Sequence, residues 1–269
     1  MVDRRADDFL DEVASWSQLS DLVEHFSYFN GHDWLFRGVT DAAHGLVPRI
    51  GREDTRGLKH EQGTTERVRV PYREEDERAV FTMFRQQARP HLPSQPESEI
   101  EWLAIAQHFG LPTRFLDWTD ILLAAAWFAV EDGGAKKNDS ALWVTKGVPP
   151  VDNGAVDPLK IAEPGIYRPP HMSPRIAAQG SVLMICPKPT EELDLTFAKK
   201  IVIRHEAQFI IKKRLNACGI NRRQLFPDLI GLIEHLTWLH KNDWLAGYRP
   251  GRASQVTSVT GEAQDDVTE

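Results

Sequence analysis

The sequence predicts an α+β fold: a single domain with a mixed sheet flanked by helices. Three observations lead there. Helical spacings and strand-like runs follow one another irregularly along 269 residues, without the strand–crossover–strand order of a parallel α/β protein. No internal repeat is present. One segment, Ile121 to Val130, is apolar on every side, which marks a buried helix.

Phe9, Val13, Trp16, Leu19, Leu22, Val23, Phe26 and Phe29 recur at steps of mostly three and four, so residues 1–30 form a helical region of one or two helices, with Ser20-Asp21 placed to cap the second. The main domain is expected over 31–245. Trp34 to Gly38 reads as a strand opening into a loop, and the polar, glycine-bearing stretch 51–70 as a surface loop. Helix resumes from Glu74 to Arg89, with Ala79, Val80, Met83 and Phe84 on its inner face. A further helix from Glu99 to Phe109 is closed by Gly110 and Pro112. Residues 113–119 are extended and lead to the buried helix, with Thr119 or Asp120 as its cap. Residues 140–145, 181–186 and 200–203 are strand-like, and 148–174, with seven prolines, reads as an excursion over the surface. Helical spacing returns over 205–218 and 225–238. Residues 250–269 are polar and read as a disordered acidic tail.

Composition excludes several classes. The chain is 41% hydrophobic and 26% charged with no uninterrupted apolar run of about 20 residues, so no membrane span is expected. The N-terminus lacks a secretory signal pattern, and a cytoplasmic location follows as the expectation. Cys186 and Cys218 alone can build neither a disulfide framework nor a four-thiolate zinc site. Ten histidines are present without HxH or HxxxH spacing beside an acid, so no metal is expected. A net charge of −7 argues against broad contact with a phosphate backbone. That argument is weakened because residues 257–269 carry four acids and no Lys or Arg, leaving −3 elsewhere.

Three constellations combine glycine with polar side chains in apolar surroundings. In Phe36-Arg37-Gly38 the guanidinium can meet a carboxylate or pyrophosphate while Gly38 lets a ligand approach the backbone; a buried ion pair and a turn glycine are the structural alternative. In Gln107-His108-Phe109-Gly110-Leu111-Pro112-Thr113-Arg114-Phe115-Leu116-Asp117-Trp118-Thr119, a cationic His108 suits the helix C-terminus. Asp117 is the nearest thing to a general base there, with Thr119 at the mouth of the buried helix; simple capping is the alternative. In Arg175 to Met184, the Gln179 amide precedes Gly180 and a strand, and reads as either a ligand contact or a turn. Arg37, Arg114 and Arg175 could line one basic groove.

Taken in this order, the three constellations resemble the FRG domain family, named for the Phe36-Arg37-Gly38 tripeptide. The match continues through Glu101 to Thr119, Ala124 to Ala129, Arg175-xxx-Gln179-Gly180, Gly219-Ile220 and Leu225 to Leu229, covering about 15–240. The resemblance implies bacterial toxin or phage-defence settings, with an antitoxin or phage component as partner. A wider similarity is to the ADP-ribosyltransferase fold, in which a first-strand Arg, a second strand followed by a helix, and a later Glu or Gln build the NAD site. It implies NAD as substrate and a protein or nucleic acid as target. Arg37, Asp117 and Gln179 would act in catalysis. Phe36, Gly38, His108, Thr113, Arg114, Trp118, Thr119 and Gly180 would join Arg37 around the nucleotide. The sequence departs from that pattern in having no acid at 179–184, so Asp117 or Glu206 would replace the usual glutamate. A module that senses a nucleotide or phage component without turnover, and a hydrolase or nuclease using His108 and Asp117, are the rival expectations.

Overall fold

The computed structural model describes residues 7–28, 33–52, 56–61, 64–69, 71–151, 157–170, 173–242 and 244. In chain order the elements are β1 (Glu12–Val13), α1 (Trp16–Tyr28), β2 (Leu35–Val39), β3 (Arg56–Glu61), β4 (Thr64–Arg69), α2 (Glu74–Ala88), α3 (Glu99–His108), β5 (Phe115–Thr119) and α4 (Leu122–Ala129). There follow β6 (Ser140–Thr145), β7 (Gly165–Tyr167), α5 (Pro174–Gln179), β8 (Ser181–Ile185), β9 (Ala198–Ile203), α6 (His205–Ala217), α7 (Arg222–Leu225) and α8 (Leu229–Lys241). Seven strands form one open mixed sheet in the order β1-β9-β6-β2-β5-β8-β7, antiparallel except for the β1–β9 pair. The fold is α+β.

One sheet face carries two separate cores. Phe36, Leu142, Val144, Ile201 and Ile203 meet α1, α4 and α6, whereas Phe115, Leu183 and Ile185 meet α2 and α3. The opposite face buries Leu35, Leu116, Trp118, Trp143 and Met184 beneath the chain around Leu46 and Leu193. This alternation follows from the two-residue side-chain period of strands. The join between β2 and β5 is the weak point: β2 pairs with β6 along five residues but with β5 only at Phe36↔Thr119.

Several expectations change. Residues Phe9 to Val13 are not helical; they lead into edge strand β1, and α1 is one helix in which Ser20 bonds back to the Trp16 carbonyl instead of capping. The stretch 51–70 contains the β3–β4 hairpin. Within 148–174, β7 extends the sheet and Leu159 and Tyr167 are buried. The 225–238 pattern divides into α7 and α8, because Asp228 starts a new helix by accepting from the Gly231 N–H. The 250–269 tail lies outside the described residues.

The inner face of α2 is also different. Val80 and Met83 are exposed, while Glu77, Phe81 and Ala88 are buried, a stripe at steps of four and seven. A glutamate belongs to that stripe because Arg114 reaches it from the start of β5. Arg114 Nε and Nη2 donate to Glu77 at 3.0 and 2.6 Å, Nη2 also donates to Tyr72 Oη, and Tyr72 donates to Glu77. The Arg114 and Glu77 side chains are 2% and 3% exposed, so each buried charge is compensated by the other.

Truncating one member leaves the other buried and unpaired, and Arg114→Leu is expected to cost about 3–5 kcal/mol in urea unfolding. Gly38→Ala is the second test of the fold. A Cβ at Gly38 would sit 2.0 Å from the Ala125 carbonyl oxygen and 2.6 Å from the Ala129 nitrogen, so α4 would have to lift from β2. An unfolding loss of about 2 kcal/mol or more is expected, since overpacking against backbone has no side chain to yield.

Candidate functional site

A cavity of about 280 Å³ opens between the two helical cores, over the seam between β2 and β5. Its lining includes Phe36, Arg37 and Gly38 of β2, Asp117, Trp118 and Thr119 of β5, and Ser181 and Leu183 of β8. Helix α3 adds Gln107 and His108, α4 adds Phe128, and α5 adds Arg175 and Gln179. The three strands are adjacent in the sheet, so positions about 60 to 80 residues apart in sequence converge on one cleft.

Arg37 crosses the seam. Its Nη1 donates to the Asp117 carbonyl at 2.5 Å, while its enclosed Nε has no partner. Burial lowers its pKa, Asp117 opposes that, and Arg52 adds to it. Arg175 lies with its guanidinium 4.3 Å above the Phe226 ring, and its Nε is likewise enclosed and without a partner. Burial lowers the Arg175 pKa too, again against the pull of Asp117. Two guanidiniums and one carboxylate line the cavity, and this excess of positive charge fits an anionic ligand.

Asp117 is the one carboxylate among the lining residues, and its orientation is set by a relay. Thr113 Oγ1 accepts from the Phe115 N–H at 3.1 Å, which turns its own proton toward Gln107 Oε1 at 2.7 Å. With that oxygen occupied, Gln107 Nε2 faces Asp117 and donates at 3.1 and 3.0 Å to its two carboxylate oxygens. Gln107 heads the second constellation in the sequence but is given no role there; its position beside His108 is the signal that points to one. Arg175 was read as part of a groove, and its convergence with Arg37 is a tertiary result.

His108 is not the cation expected from its place at a helix end. Burial lowers its pKa below the ordinary histidine value, Arg175 lowers it further, and Asp117 pulls the other way. Desolvation outweighs the helix dipole here, and Nε2 lies 3.2 Å from Ser173 Oγ.

Other predicted residues have different duties. Arg114 does not join Arg37 and Arg175, being consumed by the Glu77 ion pair. Thr113 is buried and acts through Gln107. Trp118 borders the cavity, but its ring packs with Leu35 and Trp143 in the opposite core. Gly38 admits α4 in place of a ligand. Gly180 ends α5 at φ 52°, and a Cβ there would meet Asp120 Oδ1 at 2.4 Å.

Thr119 Oγ1 donates to the Gln179 carbonyl at 2.6 Å and accepts from the Ile121 N–H at 2.9 Å. Ile121, not Thr119 or Asp120, occupies the cap position of α4. The Gln179 amide nitrogen donates to the Leu225 carbonyl at 3.0 Å, so this side chain ties α5 to α7. Glu206, at the start of α6, does not line the cavity.

Among the described residues, Asp139, His205 and Glu206 bring potential ligand atoms within 4.8 Å of one another. Asp139 is already engaged by Arg204 and by the His205 N–H, and none of the three lines the cavity. Cys186 is buried, with its thiol pushed up to about 12 chiefly by desolvation, which makes it unreactive. Among the described residues no helix is long and apolar enough to cross a membrane.

An α+β domain with an anion-suited cleft over a parted sheet is the class that this architecture defines. Comparison with known families finds one match: residues 32–138 match the FRG domain. The matched range runs from the approach to β2 to the turn after α4, so it holds Arg37, His108 and Asp117 but neither Arg175 nor Gln179. No curated protein and no solved structure matches the chain.

A native imidazole held below its unfolded pKa binds fewer protons than the unfolded chain as pH falls through about 6.5. His108 therefore withdraws stability on acidification through that range. In a ring-resolved NMR titration its midpoint is expected below about 6.5 and to move up in Arg175→Ala, where one cation and part of the enclosure are gone.

Proposed function

We propose that the cleft binds NAD and that the protein transfers ADP-ribose from it to a protein or nucleic acid, acting in the cytoplasm within a toxin or phage-defence setting. The observation that carries this reading is the convergence around one cavity of Arg37 on β2, Asp117 on β5, and Gln179 and Ser181 where α5 meets β8. Those are the three elements whose order resembles the ADP-ribosyltransferase pattern.

Arg37 and Arg175, both in the cavity wall, would hold the pyrophosphate. Asp117 takes the part of the missing glutamate. Breakage of the bond between the ribose anomeric carbon and the nicotinamide nitrogen returns the bonding pair to the ring, and the positive charge of the pyridinium passes to the sugar as an oxocarbenium ion. A carboxylate fixed beside that carbon stabilises this charge more strongly than the ground state. The target nucleophile then forms the new bond and gives up its proton, for which the neutral imidazole of His108 is an acceptor. Gln107 serves as a positioning residue, presenting both Asp117 oxygens in a fixed plane.

A second reading has an observation of its own: an imidazole kept neutral beside a carboxylate also suits hydrolysis of a phosphodiester, with His108 as base.

The test incubates the full chain with adenine-labelled NAD and a cell extract. Nicotinamide release and transfer of label to macromolecules are expected. Asp117→Asn should lower turnover by about 10²–10³ while keeping the NAD-dependent thermal shift. Arg37→Ala should weaken NAD binding by roughly 10–100-fold, the loss of a charged hydrogen bond. Absence of both release and thermal shift would overturn the proposal, and nucleic-acid cleavage without NAD that disappears in His108→Ala would put the hydrolase in its place.

A further inference from the structure

A second cavity, of about 190 Å³, lies where α6, α7 and α8 meet the end of α4. It shares no lining residue with the cleft over β2 and β5, and three of its four helices lie beyond residue 138, where the family match ends. Its charged groups balance. Arg222 Nη1 pairs with Glu131, Arg222 Nε lies 2.6 Å from Glu234, and Lys212 donates to the Glu131 carbonyl at 2.6 Å. These cations and carboxylates are committed to one another, so the cavity has little to offer an ion.

The neutral polar groups differ. His235 and Asn221 are each 6% exposed, and both border the cavity. Burial lowers the His235 pKa and Arg223 lowers it further, so at neutral pH the ring presents one N–H donor and one bare nitrogen acceptor. Neither ring nitrogen has a hydrogen-bond partner among the described residues, and the Trp238 ring, 27° from parallel, supports its plane. Asn221 Oδ1 caps α7 by accepting from the Gln224 N–H at 3.2 Å, while its amide nitrogen has no partner among the described residues. Asn216 of α6 brings a second amide to the same wall, also uncommitted. A buried polar group left unpaired costs about 1–3 kcal/mol, so three of them around one small space point to a molecule that pairs with them.

We infer that this cavity is a binding site for an uncharged purine base, adenine in particular. Three features select that chemistry. An asparagine amide matches the donor and acceptor that adenine presents at N6 and N7, and a neutral imidazole adds a donor and an acceptor for the remaining ring nitrogens. Trp127 of α4 and Trp238 of α8 supply apolar indole walls, the kind of surroundings in which proteins hold bases. Pockets for drug-sized ligands begin at roughly 300 Å³, so about 190 Å³ suits a base without its sugar and phosphates. A phosphate would need a free cation, and Arg222 is already engaged on both sides. The site is separate from the NAD cleft, and the inference stands whether or not that cleft turns NAD over.

Isothermal titration calorimetry of the full chain with adenine tests this. Saturable binding with a Kd of roughly 10–1000 μM is expected, as for a good ligand of this size. It should weaken at least about tenfold in His235→Leu and in Asn216→Leu, and stay unaltered in Met83→Gln, whose exposed side chain lies on α2. Circular dichroism checks that each variant is folded; Asn216→Leu removes no hydrogen bond within the described chain and carries the test should His235→Leu fail to fold. In a ring-resolved NMR spectrum adenine should move the His235 signals. No heat and no shift at His235 overturns the proposal, as does binding indifferent to Asn216→Leu. A shift at His108 without one at His235 places the base in the other cleft and overturns it too. So does binding of adenosine monophosphate or benzoate as tight as that of adenine, since the pocket would then select charge.

Discussion

Helix α4 rests with its backbone directly on Gly38 of β2, closer than any side chain would permit, and the arrangement of the cleft depends on that contact. The helix is mostly alanine where it meets the sheet, so the two backbones approach with nothing between them. Once α4 is fixed over β2, its start is fixed as well, and Thr119 Oγ1 can reach both the Ile121 N–H and the Gln179 carbonyl. β5, α4 and α5 are locked together at one corner in this way. With α4 held there and α3 packed on Phe115 and Leu183, the helical layer parts over the β2–β5 seam. The cavity is the space that results.

That seam would be costly if left bare, because strands that separate expose backbone groups without ladder partners. Arg37 relieves part of the cost by donating to the Asp117 carbonyl. Its Nε stays without a partner, as does that of Arg175, and burial in the same setting lowers the His108 pKa. Satisfying the sheet and preparing a site for an anion are therefore one arrangement. Arg114 and the two cleft arginines show the contrast. Arg114 and Glu77 are satisfied within the core and have nothing left for a ligand, whereas Arg37 and Arg175 line the cavity with Asp117 as the one carboxylate there, and each keeps an Nε without a partner.

The periphery is linked to this site through α7 and α8. Gln179 binds the Leu225 carbonyl, and Arg175 stacks on Phe226, whose carbonyl in turn seats Gly231 of α8.

The sequence by itself determined the elements with the clearest punctuation: the buried helix after residue 120, the α3 stop at Gly110, the strands around Arg37 and Asp117, and the α+β class. Periodicity and glycine placement encode those locally. It also singled out Arg37, His108 and Asp117, which do share one cleft. Tertiary structure alone decided what each polar residue does. Arg114 and Arg175 are chemically identical, and only the position of Glu77 on α2 withdraws one into the core while the other remains at the cleft. His108 stands at a helix end that favours its charged form, yet burial and a nearby guanidinium reverse that preference. Gly38 reads equally as an opening for a ligand or for a helix until α4 is in place. The reason is common to all three: charge state and partnership depend on neighbours distant in the chain, and a local pattern carries no record of them.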